Sequence, residues 1–168
     1  MAFCDWSSDV CSSDLAQRRC LDHAARLVAG MVGPVVEIGL GNGRTYDHLR
    51  HLFPDRPIFV FERKPQPHPD CMPPKEQIFV GDMARTLPTA LQQMRRRAVL
   101  VHADIGTGDP TNNVKSAGKI SRYVPAIIAS GGILLCDQPV EARWHEPLPL
   151  PEGVEAGRYH MYRCTGFG

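Results

Sequence analysis

The 168-residue chain has no long apolar run, no closely spaced cysteine pair and no strong excess of either charge. With no stretch near the roughly 20 apolar residues a bilayer requires, no membrane span is expected. The six cysteines form no Cys-x-x-Cys pair and the seven histidines fall at no ligand spacing, so no metal site is expected. A formal net charge of +1 gives no electrostatic footprint for nucleic acid. Aromatics are scarce, and Trp144, Tyr159 and Tyr162 are too few to serve as a base-stacking platform. The one basic run, Arg95-Arg96-Arg97, falls at the C-terminal end of an expected helix, where the helix dipole favours cations. There is no internal repeat. What remains is the composition of one globular domain, 43% hydrophobic and 22% charged. Unpaired cysteines favour a reduced, cytoplasmic setting.

Residues 5–15, Asp-Trp-Ser-Ser-Asp-Val-Cys-Ser-Ser-Asp-Leu, repeat Ser-Ser-Asp and show neither helical nor strand periodicity. They resemble a reading frame through a common sequencing-adapter oligonucleotide. Residues 1–15 are therefore expected to be an artefactual or disordered segment that replaces the native start, and 16–168 the folded domain. Without Asp5, Asp9 and Asp14 the formal charge rises from +1 to +4.

From residue 16 the pattern alternates helices and strands. Cys20, Leu21, Ala24, Leu27, Val28 and Met31 mark one face of a helix over 16–31, stopped by Gly33-Pro34. Strands are expected at 34–38, 57–61, 77–80, 98–103 and 133–136, and helices at 44–53, 86–97 and 112–129. Pro88 is placed in the first turn of its helix, and Gly131-Gly132 at the end of the last one. Five prolines make 64–75 a rigid loop. After residue 137 only one strand, 158–164, is evident, and 165–168 is expected to fray. Apolar strands alternating with helices imply an α/β fold, a three-layer Rossmann-like sandwich around a mostly parallel sheet.

In such a sheet, ligands bind beyond the C-terminal strand ends, and the first strand–helix turn lies there. That turn reads Glu37-Ile38-Gly39-Leu40-Gly41-Asn42-Gly43. A plain turn needs fewer glycines. The dinucleotide fingerprint Gly-x-Gly-x-x-Gly would place Gly or Ala at position 44, which here is Arg44. Glu37 would repel a phosphate and suits a cationic ammonium group.

The pattern Glu-x-Gly-x-Gly-x-Gly resembles motif I of the class I S-adenosyl-L-methionine (SAM)-dependent methyltransferases. The stretches 37–46, 60–63, 101–104 and 149–163 extend the likeness to a small family of predicted methyltransferases with a shortened C-terminal half. The resemblance implies SAM as cofactor, methyl transfer to a small-molecule acceptor, and a sheet truncated at its C-terminal end. It places Glu37 near the methionine amino group, with Gly39, Leu40, Gly41, Asn42 and Gly43 around it. Glu62, with Arg63 beside it, would bind the ribose hydroxyls; a solvated Glu62 paired with Arg63 or Lys64 is the alternative. Asp82 and Met83 would lie by the adenine, Asp82 serving equally well as a helix cap. Asp104 would face the transferred methyl, or act only as a cap. Asp104 and His102 are the candidate catalytic bases, His102 with the alternative of packing inside the sheet, and Asp137 could line the same mouth. A SAM-binding subunit without independent activity and an NAD(P)-dependent oxidoreductase are the competing readings. A homo-oligomer through a sheet edge near the last strand is compatible with the sequence.

Overall fold

The computed structural model describes residues 12–166. The expectations for residues 5–11 and for the last two residues of the tail lie outside them. Seven strands, β1 (Val35–Ile38), β2 (Ile58–Glu62), β3 (Ile78–Val80), β4 (Ala98–Ala103), β5 (Ile128–Cys136), β6 (His145–Pro147) and β7 (His160–Cys164), form one sheet in the order β3-β2-β1-β4-β5-β7-β6. The first five are parallel; β7 is antiparallel to β5 and to β6. Helices α1 (Ser12–Leu27) and α2 (Arg44–Leu52) cover one face, and α3 (Met83–Met94) and α4 (Pro110–Ile127) the other.

Strand alternation sorts the core into two layers. Val35 and Ile58 pack with Cys20, Leu21, Ala24 and Val28 of α1 and with Tyr46 and Leu49 of α2. Val36, Ile38, Phe59 and Phe61 pack against Met83, Ala90 and Met94 of α3 and Ile120, Val124 and Ile127 of α4. The central strands are buried on both faces, which is why they read as unbroken apolar runs.

Four sequence expectations shift. The first helix begins at Ser12 rather than 16, so the expected domain boundary falls inside it, and it ends at Leu27 before the turn that carries Met31. Helix α3 starts at Met83 because Asp82 Oδ1 accepts from the Ala84 N–H at 2.9 Å; Pro88 therefore lies in the helix interior, not its first turn. Gly131-Gly132 does not end a helix. It sits inside β5, where the pairing with β4 slips from Ala98–Ile128 to Leu100–Ile133. A Cβ on Gly132 would lie 2.8 Å from the Ala129 carbonyl oxygen. Finally, β6 supplies a second antiparallel strand beyond β7. No helix lies between β5 and β7; β6 has no sequence signal because three residues ending in proline carry no readable alternation.

Candidate functional site

The turn after β1 is tight because its glycines meet backbone and side chains on two sides. Gly39, at φ +90°, would drive a Cβ to 2.5 Å from the Asp104 carbonyl oxygen, and Gly43 to 2.4 Å from the Cys71 Cβ. Gly41 differs: a Cβ there would meet nothing within 4 Å. It faces a cavity of about 450 Å³ at the C-terminal ends of β1, β2 and β4, within the roughly 300–1,000 Å³ common for small-ligand sites.

Gly39, Gly41, Glu62 and Arg63 line this cavity on one side, Asp82 and Met83 at one end, and Asp104 at the mouth. Glu62 is tied into the glycine turn. Its Oε2 accepts from the Leu40 N–H at 2.7 Å and its Oε1 from the Lys64 N–H at 3.0 Å. A carboxylate has about four acceptor positions, so two stay free for a ligand. Asp82 both caps α3 and accepts from Lys119 Nζ at 2.8 Å, which joins α3 to α4 across the cavity. Lys119 and then the Ala84 N–H hold the Asp82 carboxyl below its ordinary range.

The opposite wall is the segment 105–107, which no sequence signal singled out. Asp137, at the end of β5, holds it: Oδ1 accepts from the Ile105 N–H at 3.0 Å and Oδ2 from the Gly106 N–H at 2.8 Å. The side chain expected at the mouth thus acts on the wall through its backbone.

Glu37, Leu40, Asn42, Gly43 and His102 do not line the cavity. Leu40 points into the core beneath α2, and Asn42 Oδ1 caps the turn by accepting from the Arg44 N–H at 3.1 Å. Glu37 and His102 face the α1/α2 layer, because Ile38 between Glu37 and the turn takes the cavity side. Both are fully buried and directly paired across β1 and β4: His102 Nδ1–H donates to Glu37 Oε2 at 2.8 Å. His102 Nε2 is hydrogen-bonded to the buried Tyr159 hydroxyl. Burial pushes His102 down, but the Glu37 carboxylate outweighs it and leaves the imidazole above its ordinary pKa. Burial also raises Glu37, against the opposing pull of His102. Glu37 Oε1 is buried with no hydrogen-bond partner among the described residues.

Gln17, from α1, joins this cluster to the cavity. Its Oε1 accepts from the Thr45 hydroxyl at 3.1 Å, and its Nε2 lies 3.3 Å from the Tyr159 hydroxyl and 3.5 Å from Asp104 Oδ2. Gln17 and Tyr159 had no motif to mark them. The site is therefore a cleft with an open glycine position and an anchored carboxylate, Glu62, along one side and a second carboxylate, Asp104, at the mouth.

Comparisons with known proteins show the family and the fold. The S-adenosyl-L-methionine methyltransferase family matches residues 10–164. An S-adenosyl-L-methionine methyltransferase from Silicibacter pomeroyi DSS-3 is 42% identical, with a TM-score of 0.84 over 91% of this chain and 94% of that one. The calicheamicin methyltransferase CalS11 shares the fold at a TM-score of 0.62 and 15% identity, over 89% of this chain and 79% of that one. Human methyltransferase-like protein 13, solved with S-adenosylhomocysteine (SAH), does so at 0.51 and 13% identity, over 92% and 82%. No curated protein matches the chain in sequence. A chain matched along nearly its whole length by the family, and folded as its 42%-identical relative is, belongs to the S-adenosyl-L-methionine methyltransferases: it is a SAM-dependent methyltransferase.

Proposed function

We propose that the cavity above β1, β2 and β4 is the cofactor site, and that the methyl acceptor is a small molecule reaching it past the wall formed by 105–107. The observation that carries this reading is the contrast among the glycines. Gly39 and Gly43 are closed in by protein, whereas Gly41 leaves open space on the cavity side. Such a cradle admits a ligand against the backbone. Glu62 would take the ribose hydroxyls with its free acceptor positions, and Asp82 and Met83 would flank the adenine. Glu37, which lies outside the cavity lining, would favour the methionine ammonium group through its negative charge rather than by contact. In this fit Leu40, Asn42 and Gly43 shape the turn from behind.

SAM, when bound, supplies a methyl group on a positively charged sulfur that leaves readily. What the protein must then provide is alignment of the nucleophile, with a base where the acceptor loses a proton. Asp104, at the mouth, is the candidate base. Packing around its carboxyl and the neighbouring Asp137 raise its pKa, and His102 opposes them. His102 is enclosed and would act only through its neighbours. The four described cysteines are buried and form no disulfide with one another, which supports a reducing, cytoplasmic setting. No helix among the described residues is long and apolar enough to cross a membrane. The nearly balanced charge speaks against nucleic acid as acceptor.

Titration calorimetry with SAM, SAH and NAD tests the cofactor half, and turnover of a panel of small hydroxyl, amine and thiol acceptors tests the other. Binding of SAM and SAH but not NAD, together with methylation of a panel member, is the expected result. Binding of NAD alone would sink the reading.

A further inference from the structure

The buried polar cluster and the cavity meet at one carboxyl, Asp104, and the link between them is Gln17. Its Nε2 lies 3.5 Å from Asp104 Oδ2 and 3.3 Å from the Tyr159 hydroxyl, both able to accept, and 3.4 Å from His102 Nε2. Its Oε1 is held at 3.1 Å by the Thr45 hydroxyl at the start of α2. The side chain is buried, so water does not compete for it. A half-turn of the amide would aim Oε1 at the Asp104 carboxylate, which the surrounding contacts oppose.

On the reading that this cavity holds SAM, we propose that Gln17 is a positioning residue for the methyl-transfer site: its amide donates to Asp104 Oδ2, fixes that carboxyl at the mouth and favours its charged form over the acid. The groups that face Asp104 are His102 from β4, Cys136 from β5 and Asp137 just after it, Glu37 from β1, Tyr159 just before β7 and Gln17 from α1. Burial and Asp137 favour the protonated acid. Against them stand the His102 charge and the Gln17 amide, and of these only Gln17 donates a hydrogen bond to the carboxyl. A protonated Asp104 would neither seat a cationic sulfur nor accept a proton. Helix α1, which lies outside the glycine motif, is thereby part of the working site.

The test is SAM affinity by titration calorimetry on the full chain, from pH 9 down to the lowest pH at which the fold survives, for wild type, Asp104→Asn, Gln17→Met and Thr45→Val. Wild-type affinity should fall on acidification through the Asp104 titration, and Asp104→Asn should be flat. Losing one hydrogen bond to a charged group should move the inflection up by about one pH unit in Gln17→Met, or about tenfold weaker binding within that window. Thr45→Val leaves the amide in place but unanchored and should shift it less, in the same direction; it also serves if Gln17→Met does not fold. A packing role alone would lower melting temperature without moving the inflection. A flat wild-type profile, or an inflection unmoved in the folded variants, overturns the proposal. Absence of SAM binding at every pH overturns the cofactor reading beneath it.

Discussion

Gly39→Ala and Gly41→Ala make a paired experiment in which one methyl group is added at two points of one turn, two residues apart. At Gly41, φ is +52°, in the left-handed region, and the new Cβ meets no protein atom within 4 Å. The cost is that of an alanine in left-handed conformation, about 1–2 kcal/mol. For a chain of this size that is roughly 2–8 °C in melting temperature. At Gly39 the φ of +90° costs about 1–3 kcal/mol of backbone strain, and the Cβ stands 2.5 Å from the Asp104 carbonyl oxygen. Since β1 and β4 are hydrogen-bonded neighbours there, through the Asp104 N–H and the Ile38 carbonyl, the overlap is not relieved by a side-chain rotation. Gly39→Ala should therefore melt well below Gly41→Ala. For SAH binding the order of interest is different. Gly41→Ala keeps its fold but fills the cradle, and should weaken SAH about 30-fold, close to 2 kcal/mol. Differential scanning fluorimetry and calorimetry measure both quantities on the same samples. A folded Gly41→Ala that binds SAH within twofold of wild type would refute the cradle argument. A Gly39→Ala that melts with wild type would refute the close approach of β1 and β4.

Three further outcomes are expected. Glu62→Ala frees the Leu40 and Lys64 N–H groups and should cost about 1–3 kcal/mol, with SAH affinity down at least tenfold; unchanged affinity would mean that Glu62 only braces the turn. Asp137→Asn turns one acceptor of the Ile105 and Gly106 amides into a donor, should cost about 1–3 kcal/mol, and should weaken SAM binding through the 105–107 wall, read by the same two assays. The Glu37–His102 pair gives a pH dependence of stability. His102 is raised above its ordinary 6.5 and Glu37 above its ordinary 4.5, so in this region the folded state binds more protons than the unfolded chain. Their contribution is full below those ordinary values and is lost as pH rises through the folded ones. From pH 6.5 to 9 the wild-type melting temperature should drop relative to that of a Glu37→Gln/His102→Gln double variant; parallel profiles would contradict the assignment.

The sequence by itself carried the parallel sheet, the turn between β1 and α2, and Glu62 at the end of β2. Each of these rests on local chemistry: apolar runs bounded by turns, glycines where the chain must double back, and a carboxylate at a strand end. It also carried Asp104 and Asp137 as residues at strand ends, though not the different tasks the two perform. The tertiary structure decided which side of the sheet each carboxylate serves. Glu37 sits in the motif, yet strand alternation turns it beneath α1, where it pairs with His102 instead of lining the cavity. It decided that Gly41, not its two neighbours, is the open position, because the closeness of Asp104 and Cys71 is a matter of strands and loops distant in the chain. And it brought Gln17, Lys119 and Tyr159 to the site from two helices and the residue before β7, whose own sequences give no sign of it. Their contacts span 28 to 142 positions of chain, and hydrogen-bond partners at such separations are fixed by packing, not by any pattern that a local reading can detect.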